Sequence, residues 1–169
     1  MKYSLLFLLS ISVSTSLAQP KDYTSDVSSP DAIISALYGV ISGAPGTPRD
    51  WDRFKYLFKP EARLIPTRKS EAGELIIRAM TPDEYVQLFS TRIATGFYEK
   101  ELHRVTEAYG TIMHVFSTYE TKEKTDGPVT NRGINSIQLF FDGKRYYVVT
   151  IYWCAESMGY PLPEKYLNK

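Results

Sequence analysis

The chain reads as an α+β protein. A strongly curved, cone-shaped sheet of about six strands, mixed or antiparallel, wraps over three helices that come first in the sequence. Three observations predict this class. Three early segments, opening at Pro30, about Pro48 and Pro82, repeat apolar residues at helical spacing between start and stop signals. Four long segments of alternating character then follow one another from Tyr98 to Trp153. The turns between them, Tyr109-Gly110, 124–128 and Asp142-Gly143, are short, and short turns join antiparallel neighbours. Such a run folds back over the helices, and the wide end of the resulting cone can hold a small molecule.

Residues 1–18 carry the pattern of a secretory signal peptide. Lys2 is the charged start, the apolar core runs from Leu5 through Val13, and Ser16-Leu17-Ala18 is the small-x-small cleavage site. The core is shorter than the ~20 residues of a membrane-spanning helix. Export to the periplasm or the extracellular space is therefore expected, with no stable membrane anchor. Residues 19–28 are polar and read as a flexible leader, and 29–169 as a single domain.

In the first helix Ser29 caps, Pro30 takes the first helical position and Asp31 favours the positive end of the dipole. Ile33, Ile34, Leu37, Tyr38 and Ile41 form its apolar stripe, and Gly43 closes it. The second helix, from about Pro48 to Phe58, buries Trp51, Phe54, Leu57 and Phe58 and leaves Arg49, Asp52, Arg53 and Lys55 outside. Short strands at 62–66 and 74–79 flank a polar loop over 67–74. The third helix opens on a capping box, Thr81 with Glu84, and a staple of Met80 with Tyr85. It buries Tyr85, Leu88, Phe89 and Ile93 and stops at Gly96. The long strands span about 98–108, 111–123, 130–141 and 145–154, and the tail from Glu156 is irregular.

Alternation assigns the faces. Gly133, Asn135, Ile137, Leu139 and Phe141 are expected against the helices, with Asn135 at the deep end. Met113, Val115, Ser117 and Tyr119 oppose Ile112, His114, Phe116, Thr118 and Glu120, and neither set is purely polar. Tyr146, Val148, Thr150 and Tyr152 oppose Tyr147, Val149, Ile151 and Trp153 with the same ambiguity. Two-sided burial of an antiparallel sheet needs a cover on the outer face, which predicts a homodimer there. Glu99, Glu101, His103 and Glu107 share one parity and read as a solvated surface.

Composition removes several functions. Twenty basic residues face nineteen acidic ones, and loss of Lys2 with the signal peptide equalises them, so no basic field draws nucleic acid. Cys154 stands alone and reads as a buried, inert thiol. The two His residues show no His-x-His or Glu-x-x-His spacing, so no metal site is expected. No phosphate-cradling Gly loop and no Gly-x-Ser-x-Gly elbow occurs, and no cofactor is expected. Aromatic residues, at 14%, run high, and the 13 Tyr suit half-buried strand faces and wet-edged pockets.

The first-helix stripe ending at Tyr38-Gly39, Asp50-Trp51-Asp52-Arg53-Phe54, the stretch 60–64, and the strands 109–115, 132–139 and 146–153 carry a resemblance. From about Pro30 to Tyr166 the chain resembles the nuclear transport factor 2-like superfamily, which includes ketosteroid isomerase and polyketide cyclases. The resemblance implies the cone and its pocket. The superfamily holds enzymes, binding modules and assembly domains, so function must come from the site. Related isomerases and dehydratases keep a carboxylate or His inside the cone as proton carrier. Here every Asp falls in the leader, a helix or a turn, which departs from that pattern.

Tyr38, Trp51, Ser117, Tyr119, Asn135 and Trp153 are expected near the ligand, with Arg132 at the strand entrance for an anionic group. The favoured function is binding of a small, mostly apolar molecule, with no catalysis assigned. One alternative is an isomerase, dehydratase or cyclase acting on a hydrophobic carbonyl compound. His114, Glu120 or Tyr119 would then carry the proton, and Asn135 would donate to the oxyanion. The other is a dimeric scaffold whose cone is plugged by Tyr38, Trp51 and Trp153.

Overall fold

The computed structural model describes residues 21–91 and 93–167, so the signal-peptide pattern of 1–18 lies outside the described residues. The helices are α1 (Pro30–Ile41), α2 (Trp51–Tyr56) and α3 (Pro82–Ser90). Each begins where a side chain satisfies a free N–H of the first turn. Ser29 accepts from the Ala32 amide, Asp50 from Arg53, and Thr81 from Glu84. Glu84 accepts in return from the Thr81 amide at 2.7 Å, completing the capping box.

α2 is shorter than its apolar pattern predicts, because Asp50 caps it. Lys21 and Tyr23 both donate to that carboxylate, at 2.8 Å and 3.0 Å. Arg49, expected outside, is buried instead. Its guanidinium donates to the carbonyls of Ile41, Gly43 and Thr47 and so satisfies the end of α1. The residues expected to form a flexible leader are also tied down from 21 onward. Arg53 pairs with Asp26 at 2.6 Å, Val27 is buried, and Thr24–Val27 forms a 3-10 turn.

The strands are β1 (Phe58–Lys69), β2 (Leu75–Ile77), β3 (Tyr98–Tyr109), β4 (Ile112–Lys122), β5 (Val129–Phe141) and β6 (Tyr146–Ala155). They form one open sheet in the order β2-β1-β6-β5-β4-β3. β3 to β6 is an antiparallel meander, and β6 then lies parallel to β1, which makes the sheet mixed. Pro60 sits where the β1–β6 ladder is interrupted between Phe58 and Arg63, so its missing N–H costs no ladder bond. Pairing of Thr67, Arg68 and Lys69 with β2 extends β1 into the stretch expected as a loop. Further register shifts fall at Leu102 in β3, Thr130 in β5 and Val149 in β6. Each bends its strand and exchanges the two faces beyond it.

Val115, Ile137, Leu139, Val148 and Ile151 cover the inner face and pack on Ile33, Ile34, Leu37 and Phe54. The inner set on β5 is the one its alternation predicts. On the outer face, the chain's own tail supplies part of the cover that the sequence assigned to a second subunit. Thr118 is buried there and donates to the Tyr166 carbonyl at 2.7 Å, while Phe116 meets the Tyr166 ring edge-on. Ile112, Val149 and Tyr152 remain exposed, and Cys154 is half-buried rather than buried.

Candidate functional site

The sheet and helices enclose a cavity of about 330 Å³. Leu37 and Ile41 of α1, Phe54, Leu64, Phe89 and Ile151 give it an apolar wall. Trp153 closes one side, edge-on to Tyr85 at 6.5 Å. Polar groups concentrate where β3, β4 and β5 run side by side: Glu99, Tyr119, Thr121, Asn131 and Asn135, with Tyr38 facing them from α1. Among the described residues no side chain fills the space, and Tyr38 and Trp153 line it rather than plug it. Trp51, expected as part of such a plug, packs against Phe54 and Phe89 at 5.8 Å and supports the wall from behind.

A directed hydrogen-bond chain holds the polar end. Ser117 donates to the Glu101 carboxylate at 2.6 Å, and Glu101 is ion-paired with Arg104. With its one proton so used, Ser117 accepts from the Tyr38 hydroxyl at 2.7 Å. The Tyr38 oxygen in turn accepts from the Asn135 amide at 3.0 Å. The other bond from that same amide nitrogen goes to Glu99, at 3.3 Å. Both Asn135 N–H groups are thereby committed. The residue cannot serve as the expected oxyanion donor and presents its carbonyl oxygen instead. Ser117, expected as a ligand contact, is fully buried within this chain rather than on the cavity wall.

Glu99 is the one carboxyl among the described lining residues. Burial pushes it up to about 7, against the opposing pull of the Asn135 hydrogen bond. The group therefore exchanges a proton near neutral pH. Burial also raises the Tyr38 and Tyr119 phenols, and the charge of Glu99 adds to both shifts, so each stays protonated. The Tyr119 hydroxyl has room because Gly133 lies beneath it. A Cβ at that glycine would stand 2.6 Å from the phenolic oxygen.

The sequence placed Glu99 on a solvated surface with Glu101, His103 and Glu107. The bulge at Leu102 overturns that reading. Glu99 and Glu101 pair with the inward residues Thr121 and Tyr119, whereas His103 and Glu107 pair with the outward residues Thr118 and His114. Of the proposed proton carriers, Tyr119 lines the cavity and the other two do not. His114 bonds Ser136 at 3.0 Å on the outer face. Glu120, on that face too, is held by Lys100 at 3.1 Å and Lys122 at 4.0 Å. Arg132, expected at the ligand entrance, points the same way and pairs with Glu156 at 3.0 Å. Arg68 lines the cavity unforeseen, because the sequence reading ended its strand at Pro66.

No family model and no curated protein matches the chain. Solved structures do. A nuclear transport factor 2-like protein of unknown function from Silicibacter pomeroyi superposes with a TM-score of 0.50 at 12% identity, over 74% of this chain and 91% of its own. A candidate β subunit of an aromatic-ring-hydroxylating dioxygenase from Novosphingobium aromaticivorans reaches 0.56 at 12%, over 74% and 85%. LinA reaches 0.52 at 8%, over 72% and 79%. At such identities the likeness is one of architecture. With helices held inside a bent, open mixed sheet and a cavity between them, the chain has the nuclear transport factor 2-like fold, as its sequence resemblance implied.

Proposed function

We propose that this chain binds a small, mostly apolar molecule in the cavity, orienting it by one hydrogen-bonding group at the Glu99–Asn135 end. The observation that carries this reading is the contrast inside one enclosed space: an apolar wall and a polar cluster built on buried, fully directed hydrogen bonds. The free acceptors there are the Asn135 carbonyl and Glu99, and the Tyr119 hydroxyl can also donate. Titration with 1-octanol, followed by Trp153 fluorescence, tests it. Saturable quenching supports the reading, and a linear, unsaturable response sinks it.

Glu99 favours a second reading, proton transfer on a hydrophobic carbonyl compound. A carboxyl that titrates near 7 in an apolar cavity suits a general base. Deuterium exchange at the α-carbon of cyclohexanone, abolished by Glu99→Gln, would support it; exchange equal in both proteins would exclude Glu99. The proposal includes export, resting on the pattern in residues 1–18, and a mature N-terminus at Gln19 is the result expected from N-terminal sequencing. It also includes a homodimer through the outer face. The exposed Val149 and Tyr152 support that part, and sedimentation tests it.

A further inference from the structure

Arg68 belongs to the inward-facing set of β1, two residues on from Pro66 and four from Leu64, and all three line the cavity. Its Nη2 is buried and has no hydrogen-bond partner among the described residues. No acidic side chain described in the structure lies within ion-pairing distance of it. An unmet buried donor on a charged group costs at least about 1–3 kcal/mol, and folded chains seldom carry one without a use for it. Glu99 lines the same cavity from β3, four strands away across the sheet. The cavity thus has a guanidinium and a carboxyl that are not paired with each other, and an apolar wall in common.

We propose that the cavity takes a small amphipathic monocarboxylate, with its carboxylate on the Arg68 guanidinium and its hydrocarbon body along Leu64, Phe89 and Ile151. This rests on the binding function proposed above and names the ligand class. The planar fork of an arginine matches the two oxygens of a carboxylate with paired N–H···O bonds. A single negative charge fits the site. Arg68 is the one cation among the described lining residues, so it balances one charge and leaves a second unpaired. The volume, about 330 Å³, lies at the small end of the roughly 300–1,000 Å³ of ligand pockets, which favours a short acid over a polycyclic lipid.

The test compares octanoate with 1-octanol, equal in chain length and different in charge, by fluorescence titration at about pH 6, where Glu99 is chiefly protonated. Wild-type protein is expected to bind octanoate about 10- to 100-fold tighter than 1-octanol. Arg68→Met abolishes that preference by weakening octanoate far more than 1-octanol, while Arg68→Lys keeps part of it. Melting curves establish that each variant is folded, and Arg68→Gln replaces Arg68→Met if the latter is not. Equal binding of the two probes by the wild type, or a preference that survives loss of the guanidinium, overturns the inference and leaves the binding function standing. Failure of both probes to bind any of these proteins overturns the binding function as well.

Discussion

Replacing Glu99 by Gln keeps the size of the side chain and an acceptor for the Asn135 amide, but removes the titration. In the folded protein burial lifts this carboxyl from its ordinary 4.5 to about 7. In the unfolded chain it titrates near its ordinary value, so between the two the folded state holds the proton more tightly. Its contribution is therefore fully favourable below about pH 4.5, is lost as the pH rises towards about 7, and stays lost above. At about 1.4 kcal/mol per pH unit, the separation between the two values comes to about 3 kcal/mol. Urea unfolding of both proteins across the pH range measures it, because every other titrating group cancels in the comparison. Glu99→Gln should match the wild type at about pH 4 and exceed it by about 3 kcal/mol at about pH 8. A stability difference that stays flat with pH would refute the burial of this carboxyl.

Three further substitutions probe what holds the cavity open. Tyr38→Phe leaves the Asn135 N–H without its acceptor and the Ser117 oxygen without its donor, and should cost about 1–3 kcal/mol in chemical denaturation. Gly133→Ala puts a Cβ 2.5 Å from the Cys154 carbonyl and 2.6 Å from the Tyr119 hydroxyl. It should lower the melting temperature and displace Tyr119, which near-ultraviolet circular dichroism would register. Thr81→Ala removes half of the capping box of α3 and should cost about 1 kcal/mol, with Thr81→Ser restoring most of it.

The features legible in the sequence were those decided by neighbouring residues. Ser29, Thr81 and Glu84 act within one helical turn, and the inner face of β5 follows from plain alternation through Gly133, Asn135, Ile137 and Leu139. Features decided across the fold were not legible. A bulge at Leu102 arises from pairing with β4, and it splits Glu99 from His103 although their spacing is even. Arg68 became a cavity residue because β2 pairs with the end of β1. Asn135 was correctly placed on the inner face. The direction of its amide depends on Tyr38, Ser117 and Glu101, which lie far apart in sequence and meet only in the folded chain. Tyr166 covers Thr118 from the far end of the chain, which composition alone gives no means of anticipating.

A crystal structure of the protein grown with 4-bromophenol tests the cavity most directly, because bromine reveals itself by anomalous scattering and the phenol offers one donor on an apolar body. The expected result is a bromine inside the wall formed by Leu37, Phe54 and Ile151, with the hydroxyl donating to Glu99 or to the Asn135 carbonyl. Bromine found only on the outer face of the sheet, with the cavity holding none of the phenol, would contradict a ligand site there.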